Sequence, residues 1–245
     1  MISCKTSTHG LAIVMEMEMA NFREPGQWSV VIPVLNEVEL LGGLLAQLQD
    51  VAELIVVDGG SSDGSCELAL LMGAKLLRFS CANRGAQLAH GALQARGSHL
   101  FFVHADARLP AGWCGLLAAC LEQPGVSAAA FRLRVQAGGW RLRLLEFFVH
   151  LRSSWRELPY GDQGLAITKQ TYGLVGGFQP IPLMEDLDLV QRLKKLGSVV
   201  IAPAAITVSG RRWQRLGVWR SCWRNAKLRV AWRRGVSAEI LSERY

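Results

Sequence analysis

A chain of 245 residues, half of them hydrophobic and 19% charged, is too apolar for a disordered protein and long enough to bury one substantial core. Its net charge of +7 predicts an acidic partner, such as a nucleotide phosphate, an anionic lipid or a nucleic acid. Its six cysteines include no C-x-x-C pair, which argues against a zinc site or a compact disulfide framework, so we expect reduced thiols.

Residues 1–27 show no regular hydrophobic pattern, and we expect a flexible N-terminal extension there. The apolar stretch at 11–15 is too short for the hydrophobic region of a signal peptide. No run of about 18 uncharged apolar residues occurs, so the sequence predicts no transmembrane helix. We therefore expect a cytoplasmic protein, with contact to the inner face of a membrane left open.

The first half of the chain alternates short apolar runs with amphipathic stretches. The predicted order is strand 28–32, a helix from about Asn36, strand 53–57, helix 65–72, strand 74–79, helix 85–95 and strand 98–103. Almost wholly apolar strands are typical of a parallel sheet that is covered on both faces. The alternation therefore predicts an α/β fold with a Rossmann-like wound, mostly parallel sheet.

The second half is less regular. Strands are predicted at 126–135, 164–168 and 198–202, and helices at 140–154, 186–196 and 212–234. The last of these is basic and rich in Trp, and it is either one long helix or a helix pair. No linker-like composition separates the halves, so we predict one domain over 28–245.

Polar side chains follow the predicted strands at their carboxyl ends. Asp58 ends the second strand, Asn83-Arg84-Gly85 follows the third, and His104-Ala105-Asp106 follows the fourth. Ligands of open α/β sheets bind in the crevice outside these strand ends. A carboxylate there, such as Asp106, can hold Mg²⁺ or Mn²⁺ against a diphosphate. Asp106 is also placed to cap the helix that starts near Pro110, and both interpretations stay open.

Two further segments complete the pattern. They are Pro33-Val34-Leu35-Asn36-Glu37 after the first strand and Met184-Glu185-Asp186 at a helix start. In this order and spacing the chain resembles the family 2 glycosyltransferases of GT-A fold, over about residues 28–215. The resemblance implies an inverting enzyme that moves a sugar from a nucleotide-diphosphate sugar to an acceptor hydroxyl. It also implies a nucleotide side at about 28–135 and an acceptor side at about 136–245.

The resemblance assigns roles to individual residues. It implies that the nucleotide-sugar is bound by Pro33, Asn36, Glu37, Asp58, Arg84, His104 and Asp106. Asp106 corresponds to the last acid of the D-x-D metal motif, which implies a divalent cation, Mn²⁺ or Mg²⁺. His104 stands where that motif has its first acid, and it either binds the metal or hydrogen-bonds a phosphate or ribose. Glu185 and Asp186 correspond to the catalytic E-D pair, with Asp186 as the general base.

Other matches are looser. Gly59 stands where many relatives carry an acid that contacts uracil, so the base of the donor is left open. Ser209-Gly210-Arg211-Arg212-Trp213 resembles the R-W motif of processive relatives, in which Arg211 and Arg212 would clamp the diphosphate and Trp213 would stack on a sugar. A basic helix start with a core Trp explains that segment equally well. Gly161-Asp162-Gln163-Gly164 is expected to line the acceptor side.

Simpler explanations exist for several of these signals. Asn83-Arg84 fits a plain helix cap, and the acids at 185–186 fit the positive end of a helix dipole.

Two other functions fit parts of the sequence. A sugar-phosphate nucleotidyltransferase uses a similar sheet and metal, but it usually has a Gly-rich, basic loop after its first strand, and residues 33–37 are not one. A non-catalytic basic module that binds a membrane or a nucleic acid would explain the charge but not the ordered carboxylates.

The acceptor is left open among a lipid, a carotenoid, a polyprenyl phosphate, a glycan and a small metabolite, and we expect no nucleic-acid partner. Residues 219–234 have the pattern of a basic amphipathic helix suited to an anionic membrane surface. Its predicted apolar face consists of Trp219, Cys222, Trp223, Ala226 and Val230, and its basic face of Arg220, Arg224 and Lys227. A helix packed on the sheet, with a solvated basic face, is the alternative.

Overall fold

The computed structural model of the protein describes residues 25–79 and 82–242, so most of the predicted N-terminal extension lies outside the described residues. The strands are β1 Trp28–Val34, β2 Glu53–Asp58, β3 Lys75–Arg78, β4 His99–Phe102, β5 Ala107–Arg108, β6 Val126–Gln136, β7 Leu165–Thr168 and β8 Ser198–Ser209. The helices are α1 Val38–Leu45, α2 Ser65–Leu71, α3 Arg84–Gln94, α4 Trp113–Leu121, α5 Trp140–Arg156, α6 Lys169–Leu174, α7 Glu185–Leu193, α8 Arg211–Leu216, α9 Val218–Arg233 and α10 Ala238–Ser242. Short 3₁₀ turns span Pro25–Gln27, Ala46–Leu48 and Gly161–Gln163.

The strands form one sheet in the order β3-β2-β1-β4-β7-β6-β8-β5. The four strands β3, β2, β1 and β4 are parallel to one another, whereas β7 runs antiparallel to its neighbours β4 and β6. The predicted α/β fold with a wound, mostly parallel sheet is confirmed. Since β1 to β4 point the same way, the loops after them meet at one edge of the sheet.

Both faces of the sheet are buried, as the apolar strands predict. In β1, Val30 and Ile32 point into one core layer, which holds Trp28, Phe101 and helices α1 and α4. Val31 points into the opposite layer, beneath α3 and α7. Alternate residues of a strand face opposite sides, so an unbroken apolar run serves both layers.

The predicted end of β8 at Ala202 is wrong, because the strand continues to Ser209. It passes through Pro203, although proline cannot donate a ladder hydrogen bond. In the structure the register between β6 and β8 shifts opposite this proline, so no ladder donor is needed there. Arg132 donates to the Pro203 carbonyl at 2.5 Å and holds the bulge.

The C-terminal segment is a helix pair, α8 and α9, and not one long helix. The two are separated by Gly217, whose positive φ of 78° suits glycine. Within the described part of the chain, no helix is long and apolar enough to cross a membrane. Cys66 and Cys120 are buried free thiols, while Cys4 and Cys81 lie outside the described residues.

Candidate active site

The loops after β1 and β2 are tied to each other by hydrogen bonds. Asn36 adopts a positive φ of 54°. Its backbone N–H donates to Ser61 Oγ at 2.9 Å, and its side-chain oxygen accepts from Ser62 N at 2.9 Å. Val38 N donates to Asp63 Oδ2 at 3.0 Å. The structure therefore gives the exposed Asn36 a loop-joining role, and its predicted contact with a nucleotide stays a prediction.

Asp58 lies at the end of β2 and is only 4% exposed. Its carboxylate accepts from Gly60 N at 2.9 Å and from Ser61 N at 3.1 Å. Burial raises the pKa of Asp58, but hydrogen bonds from Ser61 and Gly60 outweigh it and hold the pKa below the usual value. The ionised side chain thus fixes its own turn, and its predicted place beside the base and ribose remains untested.

The start of α3 is locked to the start of α7. Asn83 caps α3 by accepting from Ala86 N at 3.0 Å, and Arg84 Nε donates to Glu185 Oε1. Glu185 is 1% exposed. A Cβ on Gly85 would lie 2.4 Å from the carbonyl oxygen of Gln179, so only glycine permits this close approach.

Burial raises the pKa of the Glu185 carboxyl, the cation of Arg84 opposes that shift, and neighbouring Asp186 adds to it. The predicted catalytic contact of Glu185 stays a prediction, because the buried carboxylate is bonded to Arg84. Its role in the structure is to position Arg84.

Asp106 lies beyond β4 on a wall that it shares with His104. Burial is the main cause that raises the pKa of Asp106 to about 6. The charge of Glu37 raises it further, that of Arg211 lowers it, and that of Asp162 raises it. This carboxylate therefore lies among more negative than positive charge.

An ion pair joins the loop after β1 to the start of α8. Arg211 Nη2 lies 2.5 Å from Glu37 Oε2. The hydrogen bond to Glu37 raises the pKa of Arg211, so the guanidinium stays charged. Arg212 belongs to the same helix, but its side chain lies outside the described part of the structure.

Two cavities meet at the shared wall. The strand-end cavity, about 500 Å³, lies above β1 and α3 and is lined by Pro33, Val34, Leu35, Ala82, Gln87 and Pro182. The Asp186 cavity, about 330 Å³, is lined by Tyr160, Asp162, Met184, Asp186, Val208, Ser209, Trp213, Asn225 and Arg229. Both are also lined by Glu37, Arg84, His104, Asp106 and Leu183.

Asp186 is held by backbone amides at the first turn of α7. Its Oδ2 accepts from Gly161 N at 2.7 Å, and its Oδ1 accepts from Leu187 N at 2.7 Å. A Cβ on Gly161 would lie 2.9 Å from His104 Nε2 and 3.5 Å from Asp186 Oδ2. The glycine backbone thus separates the imidazole from the carboxylate, and Asp186 is held in one orientation at the border of its cavity.

The structure places most of the predicted site residues at one or both of these two cavities. Those that line a cavity are Pro33, Glu37, Arg84, His104, Asp106, Asp186, Arg211 and Trp213. Asn36, Asp58 and Glu185 line neither large cavity, and Asp162 lines the Asp186 cavity as expected of the 161–164 segment.

Sequence reasoning missed a cluster around Tyr160. The Arg152 guanidinium lies 3.5 Å from the centre of the Tyr160 ring, and that of Arg229 lies 5.5 Å from it. Arg152 comes from α5 and Arg229 from α9, so no local motif joins them. Gln163 is fully buried and accepts from Ser153 Oγ at 2.8 Å, which fixes the turn that carries Tyr160.

A divalent cation fits this wall, although no cluster of three or more His, Cys, Asp or Glu with ligating geometry occurs within the described ranges. The raised pKa of Asp106 shows a carboxylate that a cation would stabilise. Asp106 and His104 offer one oxygen and one nitrogen ligand type, which suit Mn²⁺ when phosphate oxygens and water complete the shell.

Comparisons with known proteins agree with this arrangement. The family model described as Glycosyl transferase family 2 matches residues 29–182. A search of curated proteins found no significant match. Among solved structures, a mannosyltransferase from Pyrobaculum calidifontis in complex with GDP-Man and Mn²⁺ has a TM-score of 0.63 at 18% identity, covering 96% of this chain and 76% of that one.

Two further solved structures are similar. Glucosyl-3-phosphoglycerate synthase from Mycobacterium tuberculosis, in complex with Mn²⁺, UDP and phosphoglyceric acid, has a TM-score of 0.56 at 18% identity and covers 90% of this chain and 82% of that one. TarS from S. aureus has a TM-score of 0.61 at 15% identity, with 75% and 60% covered. At these identities the likeness concerns the fold, and it confirms the predicted GT-A fold.

Proposed function

The chain belongs to glycosyl transferase family 2, and from this premise we propose that it moves a sugar from a nucleotide-diphosphate sugar to an acceptor hydroxyl, with inversion at the anomeric carbon. The family match covers residues 29–182, more than half of the chain. It makes the protein a glycosyltransferase, while the inversion and the residue roles given below are our proposal.

One observation supports the assignment most strongly: two cavities share a wall that carries Asp106, His104 and Arg84. We place the donor in the strand-end cavity, because ligands of open α/β sheets bind outside the carboxyl ends of the strands. The acceptor then lies in the Asp186 cavity. The anomeric carbon would sit at the shared wall, within reach of both.

Positive charge at the wall suits a departing diphosphate. Arg84 lines it and Arg211 lines the adjoining Asp186 cavity, and each is held by a carboxylate partner, Glu185 and Glu37 respectively. A guanidinium that is already oriented can stabilise developing phosphate charge without reorganising. The two ion pairs therefore preorganise the donor site for its leaving group.

Asp106 and His104 would hold the divalent cation. When bound there, a divalent ion neutralises part of the charge that develops on the leaving diphosphate. The similar structures from Pyrobaculum calidifontis and Mycobacterium tuberculosis were both solved with Mn²⁺. We infer that this chain uses the same class of ion.

Asp186 would act as the general base. Its carboxylate borders the acceptor cavity and is oriented by the amide of Gly161. As the acceptor oxygen forms its bond to the anomeric carbon, Asp186 takes the hydroxyl proton, and the bond to the diphosphate breaks on the opposite face. A single displacement of this kind inverts the anomeric centre.

The test is product analysis with a panel of UDP-, GDP- and dTDP-sugars in the presence of Mn²⁺. A glycosyltransferase releases the nucleoside diphosphate, with slow hydrolysis of the donor when no acceptor is present. Release of pyrophosphate would indicate the nucleotidyltransferase alternative, and no release with any donor would indicate a non-catalytic module. NMR of the transferred or hydrolysed sugar then shows whether its anomeric configuration is inverted.

A further inference from the structure

Helix α5 carries an apolar stripe on the side that faces away from the sheet. Its inner side is buried through Leu142, Val149 and Ser153. Its outer stripe consists of Trp140, Leu144, Phe147, Phe148, Leu151 and Trp155, which at helical spacing lie within an arc of about 100°. The exposed fractions of the aromatic members are 67% for Trp140, 59% for Phe147, 53% for Phe148 and 83% for Trp155.

Helix α9 carries a second exposed stripe, formed by Trp219, Trp223 and Val230. Lys227 Nζ lies 3.4 Å from the centre of the Trp223 ring, so a cation and an aromatic ring share this outer side. The predicted separation of an apolar face from a basic face is therefore corrected in part. Cys222, predicted on the apolar face, turns inward and lines a cavity.

The charge of this region is concentrated. Residues 211–234 carry nine Lys and Arg side chains and no acid, out of 27 basic and 20 acidic residues in the whole chain. The remaining chain therefore holds 18 basic and 20 acidic residues, and it is slightly acidic. The net positive charge of the chain therefore comes from residues 211–234, the segment that carries the second aromatic stripe.

The two helices border the acceptor side of the site. α5 and α9 contact each other, and a cavity of about 220 Å³ between them is lined by Phe148, Arg152 and Cys222. This cavity shares Tyr160 and Trp213 with the Asp186 cavity. The exposed stripes thus flank the approach to Asp186.

Charge and composition decide what fits this surface. Exposed Trp side chains beside Lys and Arg are typical of elements that lie at a bilayer interface, where rings enter the headgroup layer and cations meet anionic lipids. In a symmetric dimer formed through this surface, the acid-free α8–α9 segments of the two copies would face each other, and their positive charges would repel. A nucleic acid would leave the Phe and Leu side chains of α5 without an apolar partner.

We propose that the outer stripes of α5 and α9 form an interfacial surface that lies on an anionic lipid bilayer. If the transfer reaction is as proposed above, the Asp186 cavity then receives a hydroxyl that is presented at that bilayer by a lipid or a lipid-linked acceptor. The bilayer contact itself does not depend on the reaction.

The test is sedimentation of the full-length protein with phosphatidylcholine vesicles, with and without phosphatidylglycerol. The protein is expected to bind the anionic vesicles and not the neutral ones. Arg220→Glu with Lys227→Glu should weaken binding, by roughly fivefold or more for each cation that leaves the surface. The matched control is Arg108→Glu with Lys195→Glu, which makes the same charge change at exposed positions outside both helices and should bind almost as wild type.

The aromatic part is tested with Trp155→Ala and Trp219→Ala, which remove exposed rings and leave the charge unchanged. Weaker binding to anionic vesicles is expected. Failure of the wild type to bind anionic vesicles, or equal loss in the control, would overturn the proposal. The proposal would also be overturned if the protein does not bind vesicles and light scattering shows a dimer that these two substitutions dissociate.

Nucleoside diphosphate release without vesicles, measured on the same samples, separates this proposal from the proposed function. Donor turnover without vesicle binding would overturn the surface alone. Vesicle binding without donor turnover would overturn the proposed reaction and leave the surface supported.

Discussion

Residues 28–135 and residues 136–245 differ in charge as sharply as they differ in structure. The first part carries seven basic and nine acidic side chains, whereas the second carries eighteen and eight. The first part supplies the parallel strand ends where a nucleotide diphosphate would bind, yet its own charge is negative. Arg84 is the cation that the first part itself supplies to the shared wall, and a divalent cation and Arg211 of the second part would add to it.

The two parts also differ in how their contacts form. The strand-end loops of the first part are built from neighbouring strand–loop–helix units, as the hydrogen bonds of Asn36 to Ser61 and Ser62 show. The second part enters the site through long-range contacts, from Glu37 to Arg211 and from Arg84 to Glu185. The comparison predicts that nucleotide binding and acceptor chemistry can be separated by substitution.

The largest expected effect is on turnover, through Asp186→Asn. The amide keeps the shape but cannot accept the acceptor proton, so kcat should fall roughly 10²–10⁴-fold. Donor affinity should stay within about twofold, because Asp186 does not line the strand-end cavity. Steady-state kinetics and donor titration on one sample measure both. The control is Asp162→Asn in the same cavity; a loss there as large as in Asp186→Asn would contradict the assignment of the base.

Asp106→Asn tests the other side of the comparison. Mn²⁺-dependent nucleotide binding should weaken by roughly 10–100-fold or more, since even partners of metal ligands have effects of that size. Isothermal titration with and without Mn²⁺ measures it. Nucleotide binding whose Mn²⁺ dependence is undiminished in the variant would show that Asp106 is not the cation ligand.

The same substitution should stabilise the fold when a chelator is present. The pKa of Asp106 is raised from 3.8 to about 6, so ionisation in the folded state is unfavourable relative to the unfolded chain. The penalty is absent below the unfolded pKa and fully present above about pH 6. Asp106→Asn should therefore melt at a higher temperature than wild type at neutral pH, and the difference should vanish near pH 4. A difference that persists at low pH would point to another cause.

An intermediate effect is expected where the two parts are joined by a buried carboxylate. Arg84→Gln leaves the buried charge of Glu185 without its cation, and it should cost on the order of 1–3 kcal/mol in urea unfolding. This is below the value for a fully buried pair, because the Arg84 side chain is 39% exposed. Asp188→Asn is the control, since it breaks only the pair with Arg192 within α7. Equal costs for the two variants would contradict the positioning role of Glu185.

The smallest expected effect concerns the Glu37–Arg211 pair. Its side chains are 27% and 48% exposed, so a double-mutant cycle of Glu37→Gln and Arg211→Gln should give a coupling of about 0.2–1 kcal/mol in stability. Arg211→Gln should nevertheless raise the KM for the donor, because the charge of Arg211 acts on Asp106 of the shared wall. A large coupling with an unchanged donor KM would make the pair structural and place the diphosphate elsewhere.

The wound sheet could be predicted because its signals are local. An apolar run such as 53–57, closed by Asp58, specifies a buried strand and the polar turn after it. Glu185 shows the limit of the same reasoning. A motif gives the position of an acid in the chain, but whether it faces a substrate depends on Arg84, which lies 101 residues away.

The predicted end of β8 was wrong for a related reason, and the outer stripe of α5 was not predicted at all. A proline ends a strand only where the neighbouring strand has a carbonyl that needs the missing N–H. Whether β6 has such a carbonyl opposite Pro203 depends on the register between the two strands. The residues of α5 predict an amphipathic helix, but its two apolar faces are distinguished only by which one the sheet covers. Long-range pairing decided both outcomes.

The ion pairs across the wall also set an order of assembly. Arg211 is 174 residues from its partner Glu37, and contacts of such sequence separation form late in folding because loop closure must precede them. During synthesis the strand-end loops leave the ribosome first, as N-terminal segments generally do. A nascent chain would thus present the nucleotide loops without Asp186, Arg211 or the carboxylate that orients Arg84. In the proposed reaction, donor turnover would therefore require that the chain up to residue 211 has been synthesised and docked.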